Sequence, residues 1–251
     1  MSLRLERHGG LAELLIDRAA KRNAFDLAMW TALPRLLADA AADPDLRLLV
    51  LRAAEPGAFC AGADIGELLA NKDRPDWRSA NQSAINAAQF ELTRFALPTI
   101  AFVDGDCIGG GCGLALACDL RVASPRARFG ITPAKLGLVY PLHDVKLLID
   151  LVGPGQARRM LYTGSLIGAD EALRIGLVEA LGEDINGFAE PILAASPHST
   201  VAIKSLVRRV LEGQVHDDAA TLALFAEAFN GPDFIEGTSA FAEKRKPEFR
   251  R

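Results

Sequence analysis

Three consecutive glycines, Gly109, Gly110 and Gly111, with Gly113 close behind, separate two apolar stretches in "VDGDCIGGGCGLALACDLRVAS" (residues 103–124). Glycine inside a helix costs roughly 1 kcal/mol relative to alanine, so four of them where a helix should begin need a physical reason. Close packing of one backbone on another is one such reason. The other is chemical. The first N–H groups of a helix have no internal acceptor and point outward, and with no Cβ in the way an oxygen atom can approach them. "FCAGAD" (59–64) is built alike: a strand end, a glycine turn, and a helix start that Asp64 can cap. Two such backbone donors aimed at one point would stabilise a developing oxyanion. Neither segment is a phosphate loop, because G-x-x-x-x-G-K-[ST] is absent and "GGGCG" does not fit G-x-G-x-x-G in register.

Other chemistry is poorly represented. The cysteines, Cys60, Cys107, Cys112 and Cys118, form no C-x-x-C pair, and the histidines (His8, His143, His198, His216) are scattered. That spacing argues against a metal site and for small buried thiols. A net charge of -4 supplies no basic field for nucleic acid. No apolar run approaches the ~18 residues of a membrane span, and "MSLRLERHGG" resembles neither a signal nor a transit peptide. The expected setting is the cytoplasm. With half of its 251 residues hydrophobic and 24% charged, the chain can bury a substantial core.

The elements that must hold the glycines follow from pattern. "LRLERHGGLAELLID" predicts two strands about a Gly9-Gly10 turn. Asp26 is placed to cap an amphipathic helix through "LAMWTALPRLLADAA", in which Pro34 allows a kink or a late start. Residues 46–53 read as a buried strand. Asp64 followed by Glu67 fits a capping box, residues 71–77 a polar loop, and residues 79–95 a helix. "PTIAFVDG" predicts a strand, then the glycine helix, then "LRVAS" and "ARFG". From Leu142 the pattern turns helical, with one further strand in "LVEALG" and breaks at Ser196-Pro197, Gly213 and Gly231-Pro232. Strands alternate with helices early and helices dominate late, which is an α/β class with a helical C-terminal region. No short-period repeat is visible. The shift near Ser196 suggests a core of residues 1–195 and a helical region of residues 196–251.

"AFCAGADIGEL" followed by "DGDCIGGGCGLALACDLRVAS" resembles the enoyl-CoA hydratase/isomerase, or crotonase, superfamily. The resemblance continues through "ARFGITPAKLGLVYP", "ARRMLYTGSLIGADEALRIGLV" and "FAEKRKPEF", nearly the whole chain. It implies a spiral of β-β-α units, a C-terminal helical region, and assembly as a homotrimer or a dimer of trimers. It also implies a CoA-thioester substrate, with coenzyme A carried as part of the substrate and no separate cofactor or metal. The thioester carbonyl would accept from the N–H groups of Ala63 and Gly110. Ala61, Ala63, Asp64, Ile65 and Gly66 would run along the CoA, with Lys21 or Arg22 near its phosphates; a solvated turn explains those two cations equally well.

The departures from the family pattern bear on the reaction. Hydratases of this superfamily use two glutamates, and the matching positions here are Gly113 and Pro133; an aspartate used by some relatives matches Pro141. A two-glutamate hydration is therefore not expected. "TPAKLGLVYP" offers Thr132 and Tyr140 instead, a pattern similar to methylmalonyl-CoA decarboxylases, although the acid and histidine of that pattern fall here on Gly113 and Gly66. Decarboxylation of a malonyl-type thioester gives an enolate without a base. Hydration or isomerisation without the glutamates, and catalytically silent acyl-CoA binding, remain as alternatives. Tyr140 has a bland reading as a packed ring with its hydroxyl at the surface. His143 and Asp144 would open a helix as ordinary first-turn groups, Lys135 would face solvent, and Asp119 would be structural.

Overall fold

The computed structural model describes residues 2–249. β1 (Leu3–His8) and β2 (Leu11–Ile16) pair antiparallel across the Gly9-Gly10 turn, where Gly9 has φ +60. Every later neighbour in the main sheet is parallel. β3 (Leu48–Ala53), β4 (Thr99–Val103), β6 (Leu120–Ala123) and β9 (Ala180–Leu181) complete the order β1-β2-β3-β4-β6-β9. Parallel neighbours need crossovers, and helices supply them. α1 (Leu27–Ala41) links β2 to β3, and α2 (Ile65–Ala70) with α3 (Pro75–Thr93) links β3 to β4. α4 (Gly110–Leu116) returns the chain to β6. The central strands β3 and β4 are apolar on both faces because both faces are covered.

A second, smaller sheet joins β5 (Asp106–Ile108), β7 (Arg128–Gly130) and β8 (Ile167–Gly168). A parallel bridge between Cys60 and Cys107 extends it by one position, and a parallel bridge between Phe25 and Ala63 lies beyond. Each turn of the chain thus places one strand in the large sheet, one short extended piece beside the small sheet, and then a helix. This is the β-β-α spiral. Its turns have unequal lengths, which is why the sequence carries no visible period.

Alternation along the strands sorts the core. Leu49, Leu51, Ala101, Val103 and Ala123 face the main cluster with Trp30, Leu33, Leu92 and Leu114 from α1, α3 and α4. Leu48, Val50, Ile100 and Val122 face the other way, against Phe188, Ala189 and Ile192 of α7 (Asn186–Ala194). Asp26 caps α1 by accepting from Met29 N–H at 2.9 Å, and the helix runs unbroken through Pro34. α3 begins earlier than the expected residue 79, with Pro75 at its first position. Trp77, read as loop, is buried and anchors that first turn.

α5 (Leu142–Thr163) bends at Gly153-Pro154, and α6 (Ala169–Arg174) follows β8. α8 (Pro197–Leu211), α9 (Ala219–Asn230) and α10 (Pro232–Glu243) form the helical C-terminal region. Ser196 caps α8 through Ser199 N–H, and Asp218 and Thr221 close a capping box on α9. Among the described residues no helix is long and apolar enough to cross a membrane.

One buried cation ties the end of the glycine helix to the sheet. Arg121 is 1% exposed and donates to the carbonyls of Leu177 (2.9 Å), Cys118 (2.8 Å), Ala115 (3.4 Å) and Asp119 (3.3 Å), and to the Glu179 carboxylate. Truncation would leave those acceptors unpartnered in the interior. Arg121→Ala is expected to lower the unfolding free energy by roughly 3–5 kcal/mol, read as a lower urea midpoint with an unchanged slope. An unshifted midpoint would contradict this accounting.

Candidate active site

The spiral brings the two glycine turns together. Phe25 N–H donates to Gly62 O at 2.8 Å, and Asp64 N–H donates to Phe25 O at 2.8 Å. These bonds use the groups on either side of Ala63 and leave its own N–H directed away from Phe25. Gly62 has φ +93, and a Cβ there would lie 2.9 Å from Ile108 O and 3.4 Å from Gly110 N. The Gly62-Ala63 backbone is therefore in van der Waals contact with the first residue of α4, and only glycine fits. Gly110 N–H has no intrahelical acceptor. Among the described residues neither Ala63 N–H nor Gly110 N–H has a hydrogen-bond partner. Trp30 backs the pair, its ring edge 3.2 Å from where a Gly110 Cβ would sit.

The remaining candidates surround these donors in different ways. Asp64 caps α2, accepting from Gly66 N–H (2.9 Å) and Glu67 N–H (3.2 Å), and pairs with Arg18 at 2.9 Å. Partial burial opposes its charge, but Arg18 and the two N–H groups hold its carboxyl below the usual range. Glu67 does not close the expected box. Its carboxylate accepts from Leu27 N–H at 2.9 Å instead, fastening α2 to the start of α1. Ala61 is half-buried and donates its N–H to Arg22 O, while Ile65 and Gly66 are exposed. The Arg22 guanidinium is paired with Asp106, which also binds Arg128 at 2.7 Å. Lys21 is exposed and has no ion pair among the described residues.

Tyr140 is not a surface hydroxyl. The residue is 8% exposed, and its O–H donates to Gly109 O at 3.0 Å, steadying the turn that presents Gly110. Burial pushes its pKa well above the usual 10, so this hydroxyl keeps its proton. Thr132 is half-buried, its Oγ1 3.8 Å from where a Gly109 Cβ would sit. Lys135 is exposed, and Asp119 accepts from Thr99 N–H at 2.8 Å and pairs with Lys204 at 2.7 Å. All four cysteines are buried free thiols, and burial drives Cys60 and Cys118 up to about 12. Glu6, His8 and Glu13 converge on the β1–β2 hairpin, where Arg4 and Arg52 pair with the two glutamates.

Asp144 is the residue that sequence reasoning misplaced. It lies in the first turn of α5 as expected, yet it is wholly buried. Its Oδ2 accepts from Gln89 Nε2 at 3.0 Å, and Oδ1 and Gln89 Oε1 have no partner. The pair occupies the space a side chain at Gly113 would need: a Cβ there would meet Gln89 Nε2 and lie 2.7 Å from Asp144 Oδ2. A signal existed. Asp144, Leu148 and Val152 recur at helical spacing on the buried face of α5, which puts the carboxylate on the apolar stripe.

Burial raises the Asp144 carboxyl to about 7, against the opposing hydrogen bond from Gln89. An acid whose folded pKa exceeds its unfolded one gives stability that is fully present below the unfolded value and lost as pH rises through the folded value. The window here runs from 3.8 to about 7. Asp144→Asn removes that dependence. Its melting temperature relative to wild type is expected to grow more positive between about pH 5 and about pH 8, by the equivalent of a few kcal/mol at most. A difference that stays level or falls over that range would contradict the raised value.

Comparison with known proteins places this arrangement. The Enoyl-CoA hydratase/isomerase family model matches residues 6–251. The (E)-benzylidenesuccinyl-CoA hydratase of Thauera aromatica is 33% identical, with 100% of this chain and 99% of that protein covered. The crotonyl-CoA hydratase of Syntrophomonas wolfei is 34% identical, with 98% and 96% covered. Among solved structures, an enoyl-CoA hydratase/isomerase family protein from Hyphomonas neptunium superposes with a TM-score of 0.95 at 38% identity, over 100% of this chain and 98% of that one. The enoyl-CoA hydratase of Bacillus anthracis gives a TM-score of 0.89 at 28% identity, over 99% of each chain. With its glycine turns, its β-β-α spiral and its full-length match, this chain belongs to the enoyl-CoA hydratase/isomerase, or crotonase, superfamily.

Proposed function

We propose that this protein is an acyl-CoA enzyme that stabilises a thioester enolate through the backbone N–H groups of Ala63 and Gly110. The observation that carries the reading is this pair of unpartnered donors on the Gly62-Ala63 and Gly110 backbones, which pack against each other. A thioester carbonyl seated between them gains negative charge as the enolate forms, and each donor is worth roughly 3 kcal/mol at that stage. Ala61, Asp64, Ile65 and Gly66 continue from Ala63 and would run along the CoA, with Lys21 as the uncompensated cation near its phosphates. Tyr140 acts by positioning the Gly109-Gly110 turn, and Thr132 lies beside that turn. Coenzyme A enters as part of the substrate.

Hydration by two glutamates is disfavoured because Gly113 and Pro133 stand at both positions. The simplest chemistry for this site is decarboxylation of a malonyl-type thioester. Breaking the C–CO₂ bond leaves its electron pair in the enolate that the two N–H groups hold. The hydratase names of the relatives and the hydratase/isomerase family model keep hydration or isomerisation of an enoyl thioester as the second reading. Self-association as a trimer or a pair of trimers is supported by exposed apolar side chains on the C-terminal helices, among them Val207, Leu211, Leu222, Phe225, Phe229 and Phe241.

A mass-spectrometric screen against pooled malonyl-type and enoyl thioesters in heavy-oxygen water tests the reading. Loss of CO₂ from a malonyl-type member is expected, and gain of labelled water by an enoyl member would move the assignment to hydration. Gly110→Pro removes one donor at a first helical position where proline is tolerated. It is expected to lower kcat by about 10²–10³-fold with helical circular dichroism retained. Undiminished turnover in the folded variant would overturn the donor assignment.

A further inference from the structure

We propose that Asp144 carries the proton to and from the thioester α-carbon, and that Gln89 positions its carboxyl group for this. The inference rests on the acyl-CoA reading above and supplies the acid that Gly113 and Pro133 lack. Gly110 and Gly113 lie on one face of α4, three residues and about 4.5 Å apart along the axis. Asp144 Oδ2 is 2.7 Å from where a Gly113 Cβ would sit. A carboxyl group from α5 therefore stands about one helical turn from the Gly110 donor, the separation needed between a carbonyl oxygen and a group working on the neighbouring carbon. No side chain on α4 separates them. Gly110, Gly111 and Gly113 have none, and Cys112 turns away to donate its thiol to Cys107 O at 2.8 Å.

The hydrogen bonding is that of a working acid rather than of a structural one. A buried carboxylate in a structural role has its oxygens satisfied, whereas Asp144 accepts one bond on Oδ2 and leaves Oδ1 buried without a partner. Among the described residues nothing charged faces it. Gln89 approaches from α3, Cys112 lies on α4, and Tyr140 is committed to Gly109 O. The adjoining His143 turns to Thr93 at 3.2 Å, and burial together with Lys146 and Arg94 favours its neutral form. Burial, opposed only by the Gln89 hydrogen bond, therefore holds the Asp144 carboxyl at about 7, so both forms are available near neutral pH.

The proton balance closes. As a base, the Asp144 carboxylate takes the α-proton, the C–H pair becomes the enolate double bond, and the carbonyl π pair moves to the oxygen held by Ala63 and Gly110. As an acid after decarboxylation, the O–H bond breaks towards oxygen, the α-carbon gains the proton, and the carboxylate recovers one from solvent.

Exchange of α-protons tests this without knowledge of the natural acyl group. Saturated acyl-CoAs from acetyl to octanoyl are incubated with the full chain in deuterated water, and deuterium at the α-carbon is read by mass spectrometry beside binding by calorimetry. Wild type is expected to exchange, with a rate that rises through about pD 7 and levels above it as Asp144 ionises. Asp144→Asn is expected to bind acyl-CoA as before and to lose at least about 10²-fold in exchange. Gln89→Leu removes the bond that favours the charged form, so its midpoint should move to higher pD, a shift that a purely structural role would not produce. Should Asp144→Asn fail to fold, a flat wild-type profile across that range would still overturn the assignment. So would full exchange by Asp144→Asn, or wild type that binds acyl-CoA without exchanging. Wild type that neither binds nor exchanges would instead remove the acyl-CoA reading itself, and this inference with it.

Discussion

The parallel bridge between Cys60 and Cys107 sets the distance between two successive turns of the spiral, and the site depends on it. Cys60 N–H donates to Asp106 O at 3.1 Å and Ile108 N–H donates to Cys60 O at 2.9 Å. From that fixed point the chain has four residues (61–64) before α2 and two (108–109) before α4. The two glycine turns cannot avoid each other, and a Cβ on Gly62 would already lie 3.4 Å from Gly110 N. A side chain on Gly62 would separate them. Donors fixed in this way are already oriented when charge develops, so none of the stabilisation is spent on reorganisation.

Building the electrostatic part of a site from backbone has a consequence for the rest. The N–H groups persist whatever side chains surround them, so the proton-handling group can change element while the carbonyl stays in place. In this chain the position that would carry an acid on α4 is glycine, and the vacated volume is filled by Gln89 from α3 and Asp144 from α5. Holding an unpaired carboxyl there costs stability as pH rises. The core around it offsets that cost: Arg121 locks the end of α4 to the sheet, and Tyr140 fastens its beginning through Gly109.

What the sequence made legible was whatever depends on local pattern. The Asp26 and Asp64 caps, the buried strand at β3 and the breaks at Ser196, Gly213 and Gly231 are all written in neighbouring residues. The pairing of "FCAGAD" with the glycine run was legible because each half has its own signature of strand, glycine and helix start. Contacts between distant elements were not. Glu67 has a capping-box spacing, yet its carboxylate is taken by Leu27, forty positions away. Tyr140 is preceded by an exposed, apolar-rich loop (134–139), but its hydroxyl finds Gly109 in the interior. Asp144 looks like any acid in the first turn of a helix. Its meaning depends on Gly113 having no side chain, and only the packing of α4 against α5 relates the two.

The central claim is that one carbonyl oxygen is held by two backbone N–H groups. A crystal structure with an unreactive thioether or ketone analogue of an acyl-CoA bound tests it most directly, the ketone retaining the carbonyl. The account predicts the ketone oxygen about 2.7–3.1 Å from both Ala63 N and Gly110 N, with the α-carbon turned towards Asp144. A carbonyl oxygen bound elsewhere, or in contact with only one of the two nitrogens, would contradict it.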